Sequence, residues 1–267
     1  MAGIYIHFPF CRAKCIYCNF YSIANLKYKN DFIDALMKEI ALRKEYLKSE
    51  IIHTLYLGGG TPSLFSITEL SEIKKQLDYF FTLSPDLEFT IEANPDQLNL
   101  DYLKSLKELG INRLSIGIQS LNNHILKILR RSHTAEVALQ SINNALKAGF
   151  ENISVDLIYG IFEREDKEWS GELEKIFSYP ISHLSAYSLT VEENTLLNKK
   201  IATKEYAYPT EEKAIRDFTL LLDAARNAGF EQYEISNFAK NGQFSRHNFS
   251  YWQGVPYLGL EIGRAHV

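Results

Sequence analysis

The sequence predicts an α/β fold, an open, partial (βα)6 TIM-like barrel followed by a small C-terminal α+β module. Two observations carry this expectation. Six short apolar runs, rich in β-branched residues, fit strands buried on both faces. Segments of helical periodicity separate them, and that alternation implies right-handed crossovers and a parallel sheet. Six units fall short of the eight that close a full barrel. The 267 residues, 46% of them hydrophobic and 23% charged, suffice for one large domain or two small ones with a sizeable core.

The first strand is expected at 3–8, where Ile4, Ile6 and Phe8 alternate with Tyr5 and His7. The next five are expected at 53–57, 88–93, 113–119, 152–159 and 183–189. Helical patterns fill 30–47, 67–80, 100–109, 122–129 with 135–148, and 167–177. After Leu189 the pattern loosens. Residues 192–209 read as a loop, 210–229 as an amphipathic helix, and 233–238 as the segment that helix leads into. The division expected is therefore a barrel over 1–195 and a second, smaller module over 196–260.

Composition excludes several classes. It is near the soluble average, unlike a disordered chain, a collagen-like repeat or a disulfide scaffold. No apolar run approaches the span of a bilayer, and MAGIYIHFPF lacks a basic stretch followed by a long apolar one. A net charge of −4, from 29 basic and 33 acidic residues, argues against non-specific nucleic-acid binding.

All three cysteines sit in Cys11-Arg-Ala-Lys-Cys15-Ile-Tyr-Cys18, just past the first strand. Three thiols cannot all pair, and buried apolar thiols have no reason to cluster at this spacing. A structural zinc site wants four ligands, and the fourth would have to be His7, within a strand. Three thiolates do suit a [4Fe–4S] cluster with one iron left open for another ligand. The C-x3-C-x2-C spacing resembles the signature of radical S-adenosylmethionine (SAM) proteins, in which the open iron takes the amino and carboxylate groups of SAM.

Other strand ends converge on the same edge. Gly58-Gly59-Gly60-Thr61-Pro62 allows close backbone approach to a ligand, or is simply a tight connection. Glu92 closes the third strand, as a functional carboxylate or a solvated rim residue. Gln119 closes the fourth. Asp156 lies inside an apolar strand, where an acid is costly unless paired or functional.

With Tyr5-Ile6-His7-Phe8-Pro9-Phe10 before the cysteines, Arg131, Tyr233-Glu234-Ile235-Ser236-Asn237-Phe238 and His247-Asn248-x-x-Tyr251-Trp252, the chain resembles the oxygen-independent coproporphyrinogen oxidase branch of the radical SAM superfamily. The resemblance implies a [4Fe–4S] cluster on Cys11, Cys15 and Cys18. It implies SAM held by Gly59, Gly60 and Thr61 at its methionine end, with Tyr5 and Tyr17 lining the site. Glu92, Gln119, Arg131 and Asp156 would surround its carboxylate, ribose and adenine. The oxidases, which decarboxylate coproporphyrinogen III, carry a further cysteine two residues after the third, where this chain has Phe20. The resemblance is therefore greater to the heme chaperones of the family, which bind heme and pass it to acceptor proteins; the radical decarboxylase is the alternative.

His247 is the candidate heme ligand, set against a histidine hydrogen-bonded within an aromatic packing cluster. His133 is expected to order the loop beside SAM. The implied partners are heme, unidentified heme-acceptor proteins and a second copy in a homodimer, with at most peripheral membrane contact and no nucleic acid. The implied oxygen-labile cluster and the three free thiols indicate a reducing, cytoplasmic setting. Residues 261–267 break from the family's small-residue continuation and are expected to be a non-native tail on a truncated chain, so His266 is given no role.

Overall fold

The computed structural model describes residues 2–261; the expected non-native tail, apart from Glu261, lies outside them. Six strands, β1 (Ala2–Phe8), β2 (Ile52–Gly59), β3 (Leu83–Ala93), β4 (Arg113–Gln119), β5 (Asn152–Tyr159) and β6 (His183–Ser188), pair in sequence order, each parallel to the next. The connections carry α1 (Lys29–Leu42), α2 (Ile67–Phe80), α3 (Leu100–Glu108), α4 (Asn123–Ile128), α5 (Ala135–Lys147) and α6 (Asp166–Phe177). The sheet stays open, as six units require.

Helix α2 shows how local sequence sets an element's start. Ser66 caps the backbone N–H of Glu69 at 3.3 Å, and the Glu69 carboxylate returns to the Ser66 N–H at 2.7 Å. Leu70, Ile73 and Leu77 then bury one face. Ser66→Ala is expected to cost about 1 kcal/mol in urea unfolding, with an unchanged denaturant slope.

The strands are buried on both faces, but the two faces differ in chemistry. Alternate residues such as Ile4, Leu55, Ile91, Ile116, Val155 and Leu184 join the apolar core beneath the helices. The intervening positions present an inner face that is polar yet buried: Thr54, Glu88, Thr90, Arg113, Ser115, Ser154 and His183 are all below one-tenth exposed.

After β6 the chain departs from expectation. Residues 192–209 contain α7 (Leu196–Ala202), begun by the Thr195 hydroxyl accepting from the Asn198 N–H at 3.2 Å. Helix α8 (Glu211–Asn227) follows, and it leads into a hairpin of β7 (Phe230–Gln232) and β8 (Asn237–Lys240), whose turn is 233–236. β8 adds antiparallel to β6, while after α9 (Arg246–Trp252) the strand β9 (Tyr257–Leu260) adds parallel to β1. The sheet order is β7-β8-β6-β5-β4-β3-β2-β1-β9, so the residues after 195 extend it at both edges.

Helix α8 is held by a buried charge network. Arg164 lies 3.9 Å above the Trp169 ring and pairs with Glu172 at 3.4 Å and Asp217 at 3.3 Å. Asp217 also accepts from Lys213 at 2.6 Å and from the Gly160 N–H at 2.8 Å, which ties α8 to the loop after β5.

Candidate functional site

The cysteine loop leaves β1 at the C-terminal edge of the sheet, the edge where parallel folds gather polar groups. Its apolar anchor is Ile16, 1% exposed in a cluster separate from the main core, with Ile125, Leu129, Ile158, Ile161 and Leu197. The Ile16 carbonyl accepts from the Leu197 N–H at 2.8 Å, so the unforeseen α7 supports this loop. Cys11, Cys15 and Cys18 are free and half-buried. Among the described residues no three His, Cys, Asp or Glu side chains close around a point that would hold a single metal ion.

Two of the thiols have polar neighbours. The Thr61 hydroxyl lies 3.5 Å from the Cys11 Sγ, and Arg131 Nη1 lies 3.3 Å from the Cys15 Sγ. Arg131 also donates to Asn94 Oδ1 at 2.6 Å and the Gly117 carbonyl at 2.7 Å, while its Nε has no partner. Burial opposes the charge of Arg131, but Tyr17 and Cys15 beside it favour that charge and hold its pKa above the usual value. Burial pushes the Cys18 thiol and the Tyr17 hydroxyl up. A cluster fits this donor set: three thiols on one half-open loop can each take a separate iron corner, and a fixed guanidinium offsets thiolate charge.

The glycine run serves the chain itself first. A Cβ on Gly60 would stand 2.6 Å from the Phe8 carbonyl, and Gly59 has φ +103° with the His7 ring against it. The Gly60 N–H donates to Phe8 O and the Gly59 N–H to Glu92 Oε2, so these two donors are already used. Glu92 also accepts from Tyr56 at 2.9 Å; burial first, and the nearby Asp156 second, push its carboxyl up to about 7. Asp156 is raised by burial and accepts from Ser115 at 3.0 Å. Gln119 sits at a register shift in β4 with φ +70°, a left-handed conformation costly for a residue with a side chain.

Thus Cys11 meets Thr61, Cys15 meets Arg131, and Glu92 meets Gly59. Tyr5 and His247 lie on the inner face, both stacked on the Tyr56 that donates to Glu92. Tyr5 stacks on Tyr56 with ring centres 5.8 Å apart, and His247 stacks on Tyr56 at 5.1 Å. His247 is 1% exposed; its Nδ1 is 2.8 Å from Thr54 Oγ1 and its Nε2 is 2.8 Å from the Tyr251 hydroxyl. This is the aromatic packing arrangement, and both ring nitrogens are engaged. Burial lowers its pKa to about 3, so the ring is neutral. His133 binds the Ile118 carbonyl at 3.0 Å, where it steadies the chain before Gln119. Asn94 and Tyr56 went unforeseen. The signals were there: Asn94 follows Glu92 by two residues, and Tyr56 shares the Gly58 face of β2 by strand alternation.

Comparison with known proteins agrees with this fold. The sequence profile of the Radical SAM superfamily matches residues 5–176. The chain is 35% identical over 266 residues to "Heme chaperone HemW" of Bacillus subtilis (strain 168), covering 98% of this chain and 70% of that protein. It is 33% identical over 259 residues to the protein of that name from Lactococcus lactis subsp. lactis (strain IL1403), covering 97% of this chain and 68% of that one. The chain thus spans about two-thirds of the length of these curated relatives, and 64% of the one from Synechocystis sp.. Among solved structures, coproporphyrinogen III oxidase (HemN) from Escherichia coli superposes with a TM-score of 0.84 at 23% identity, over 97% of this chain and 62% of that one. That likeness shows the fold. Family profile and relatives together establish that the chain belongs to the Radical SAM superfamily, in its HemW branch.

Proposed function

We propose that the chain is a heme chaperone of the radical SAM type, which holds a [4Fe–4S] cluster on Cys11, Cys15 and Cys18, binds SAM and heme, and delivers heme to acceptor proteins. The observation that carries this reading over the oxidase is Phe20. It stands 64% exposed beside the thiols, where the oxidases have a further cysteine. The HemW relatives, matched along nearly the whole chain, support it.

When bound, the cluster and SAM supply one-electron reductive cleavage to a 5′-deoxyadenosyl radical. The chain's own residues prepare the site. Arg131 sets a guanidinium against the Cys15 thiol, and its unpartnered Nε gives a donor for the SAM carboxylate. Gly59, Gly60 and Thr61 form the wall beside Cys11, Tyr17 lines the loop, and Glu92, Gln119 and Asp156 offer acceptors for amino and ribose groups. Residues 1–195 form the unit that holds this site, and 196–260 the unit that carries the His247 motif. A cytoplasmic location belongs to the same reading; among the described residues no helix is long and apolar enough to cross a membrane.

Heme ligation by His247 requires Tyr251, 42% exposed, to release Nε2. Tyr251→Phe is therefore expected to strengthen heme binding, read by titration of the Soret band; unchanged affinity would remove His247 as the ligand. The functional test uses anaerobically reconstituted protein with SAM, a reductant and coproporphyrinogen III, assayed for protoporphyrinogen, with heme binding measured in parallel. Stoichiometric heme binding without decarboxylated product is expected. Decarboxylated product would move the chain to the oxidase branch.

A further inference from the structure

Asn94 ties together the loops that stand beside two of the three cysteines. It follows β3, and Pro95 after it holds its backbone extended, at φ −89° and ψ 143°. Its backbone N–H donates to Ser63 Oγ at 3.4 Å. Its side chain reaches two further loops: Oδ1 accepts from Arg131 Nη2 at 2.6 Å, and Nδ2 donates to Thr61 Oγ1 at 3.4 Å.

The direction of each bond in this series follows from the chemistry of its ends. A guanidinium only donates, so the Asn94 atom that faces Arg131 is the oxygen. The amide nitrogen must then face Thr61. A threonine hydroxyl carries a single proton, and accepting from Asn94 leaves that proton to point elsewhere. The acceptor the fold gives it is Cys11 Sγ, 3.5 Å away, and Thr61 is buried, which keeps water from competing. Arg131, meanwhile, is held at its other nitrogen against Cys15 Sγ, at 3.3 Å. The polarity of the whole series therefore runs from a fixed guanidinium, through one amide, to a hydroxyl aimed at a cysteine sulfur. Aspartate in place of Asn94 would still accept from Arg131, but it has no proton for Thr61 and would take the hydroxyl proton itself.

We propose that Asn94 is a positioning residue for the cluster: its amide turns the Thr61 hydroxyl towards Cys11, and the resulting hydrogen bond raises the reduction potential. A donor at a ligand sulfur stabilises the more negatively charged, reduced cluster. This role rests on the cluster assigned above to Cys11, Cys15 and Cys18.

The test is a potential titration of the reconstituted chain in the absence of SAM, followed by EPR of the reduced cluster. Thr61→Val is expected to lower the ratio of reduced to oxidised cluster at a fixed potential about fivefold, a downshift of ~40 mV for one electron. Thr61→Ser keeps the hydroxyl and should restore the potential. In Asn94→Asp the hydroxyl already faces the carboxylate, so adding Thr61→Val should lower the potential no further. That comparison cancels the added charge, and the retained contact with Arg131 keeps the loops in place. A Thr61→Val shift of equal size in both backgrounds would overturn the role of Asn94. So would the absence of a shift in the unaltered background, or a Thr61→Ser potential as low as that of Thr61→Val. NMR of the metal-free chain adds a readout that needs no cluster. NOE contacts are expected from the Asn94 Nδ2 protons to the Thr61 side chain, and contacts to the Arg131 Nη2 protons in their place would overturn the orientation of the amide. Failure of any cluster to assemble would overturn the proposed function and this role with it, whereas a cluster that assembles with unmoved potentials would overturn this role alone.

Discussion

Asp217→Ala is expected to destabilise the chain by about 3–5 kcal/mol, because it leaves two buried cations without their shared partner. Arg164 and Lys213 both pair with this carboxylate, whose side chain is fully buried, and the Gly160 N–H donates to it as well. For a domain of this size the loss corresponds to a fall in unfolding temperature of roughly 10 °C. The effect reaches the cysteine loop, since Ile161, next to Gly160, packs in the apolar cluster around Ile16. Iron retention after reconstitution should therefore fall along with stability. Asp217→Ala with Arg164→Met and Lys213→Met should recover part of the loss, because the orphaned charges are then gone. A loss below about 1 kcal/mol for the single substitution would show that water reaches the network and solvates it.

The second large effect is the response to acid. His247 and His133 have native pKa values lowered to about 3 and about 4, both by burial first. Between pH 6.5 and those values the unfolded chain binds protons that the native chain refuses, so stability falls as pH falls. From pH 6.5 to 4.5 the two rings together withdraw about 5 kcal/mol, at ~1.36 kcal/mol per unit per group. Glu92 acts in the opposite sense. Its carboxyl, raised to about 7, holds a proton in the native state over a range where the unfolded chain has released it. Its contribution is therefore gained on acidification from pH 7 towards 4.5, and offsets about half of the histidine loss. Glu92→Gln removes that offset. Urea unfolding at pH 6.5 and 4.5 should show a steeper acid loss in this variant, by about 2–3 kcal/mol. An equal or shallower loss would mean that Glu92 is already ionised at pH 6.5 in the native chain.

The barrel was legible because its strands are short, apolar and β-branched, and each ends in a distinct polar or glycine signal. α2 falls at 67–80 as periodicity alone places it, and β4 and β5 match their expected limits. The first helix stops five residues early: from Arg43 the chain goes on in turns closed between residues three apart, as from the Tyr46 N–H to the Arg43 carbonyl, and Lys48 and Ser49 take left-handed conformations before β2. α7 was hidden because its seven residues are too few for a periodic pattern, and only the Thr195 cap announces it. β9 was hidden for a different reason: four residues become a strand there because β1 offers a free edge, a tertiary fact with no local signal. The polar and glycine groups at the strand ends could be read one by one, whereas their pairings could not. Nothing in Tyr56 or Asn94 alone says that one will hold Glu92 and the other Arg131. The polar inner face escaped for a related reason. Thr90 and Arg113 look like ordinary interruptions of apolar runs until the ladder sets them side by side.

The placement of β9 also sets a timetable for synthesis. Gly3 and Ile4 are each translated 254 residues before their outer neighbours, Tyr257 and Leu258. At ~5–20 residues per second the edge of β1 waits roughly 10–50 s for its cover. Throughout that interval the nascent barrel shows an unpaired strand edge to any other growing chain, and the β6 edge waits almost as long for β8. β9, the last strand among the described residues, is thus the one that covers the β1 edge. Any delay in translating residues 196–260 lengthens that period without changing a single contact in the finished fold.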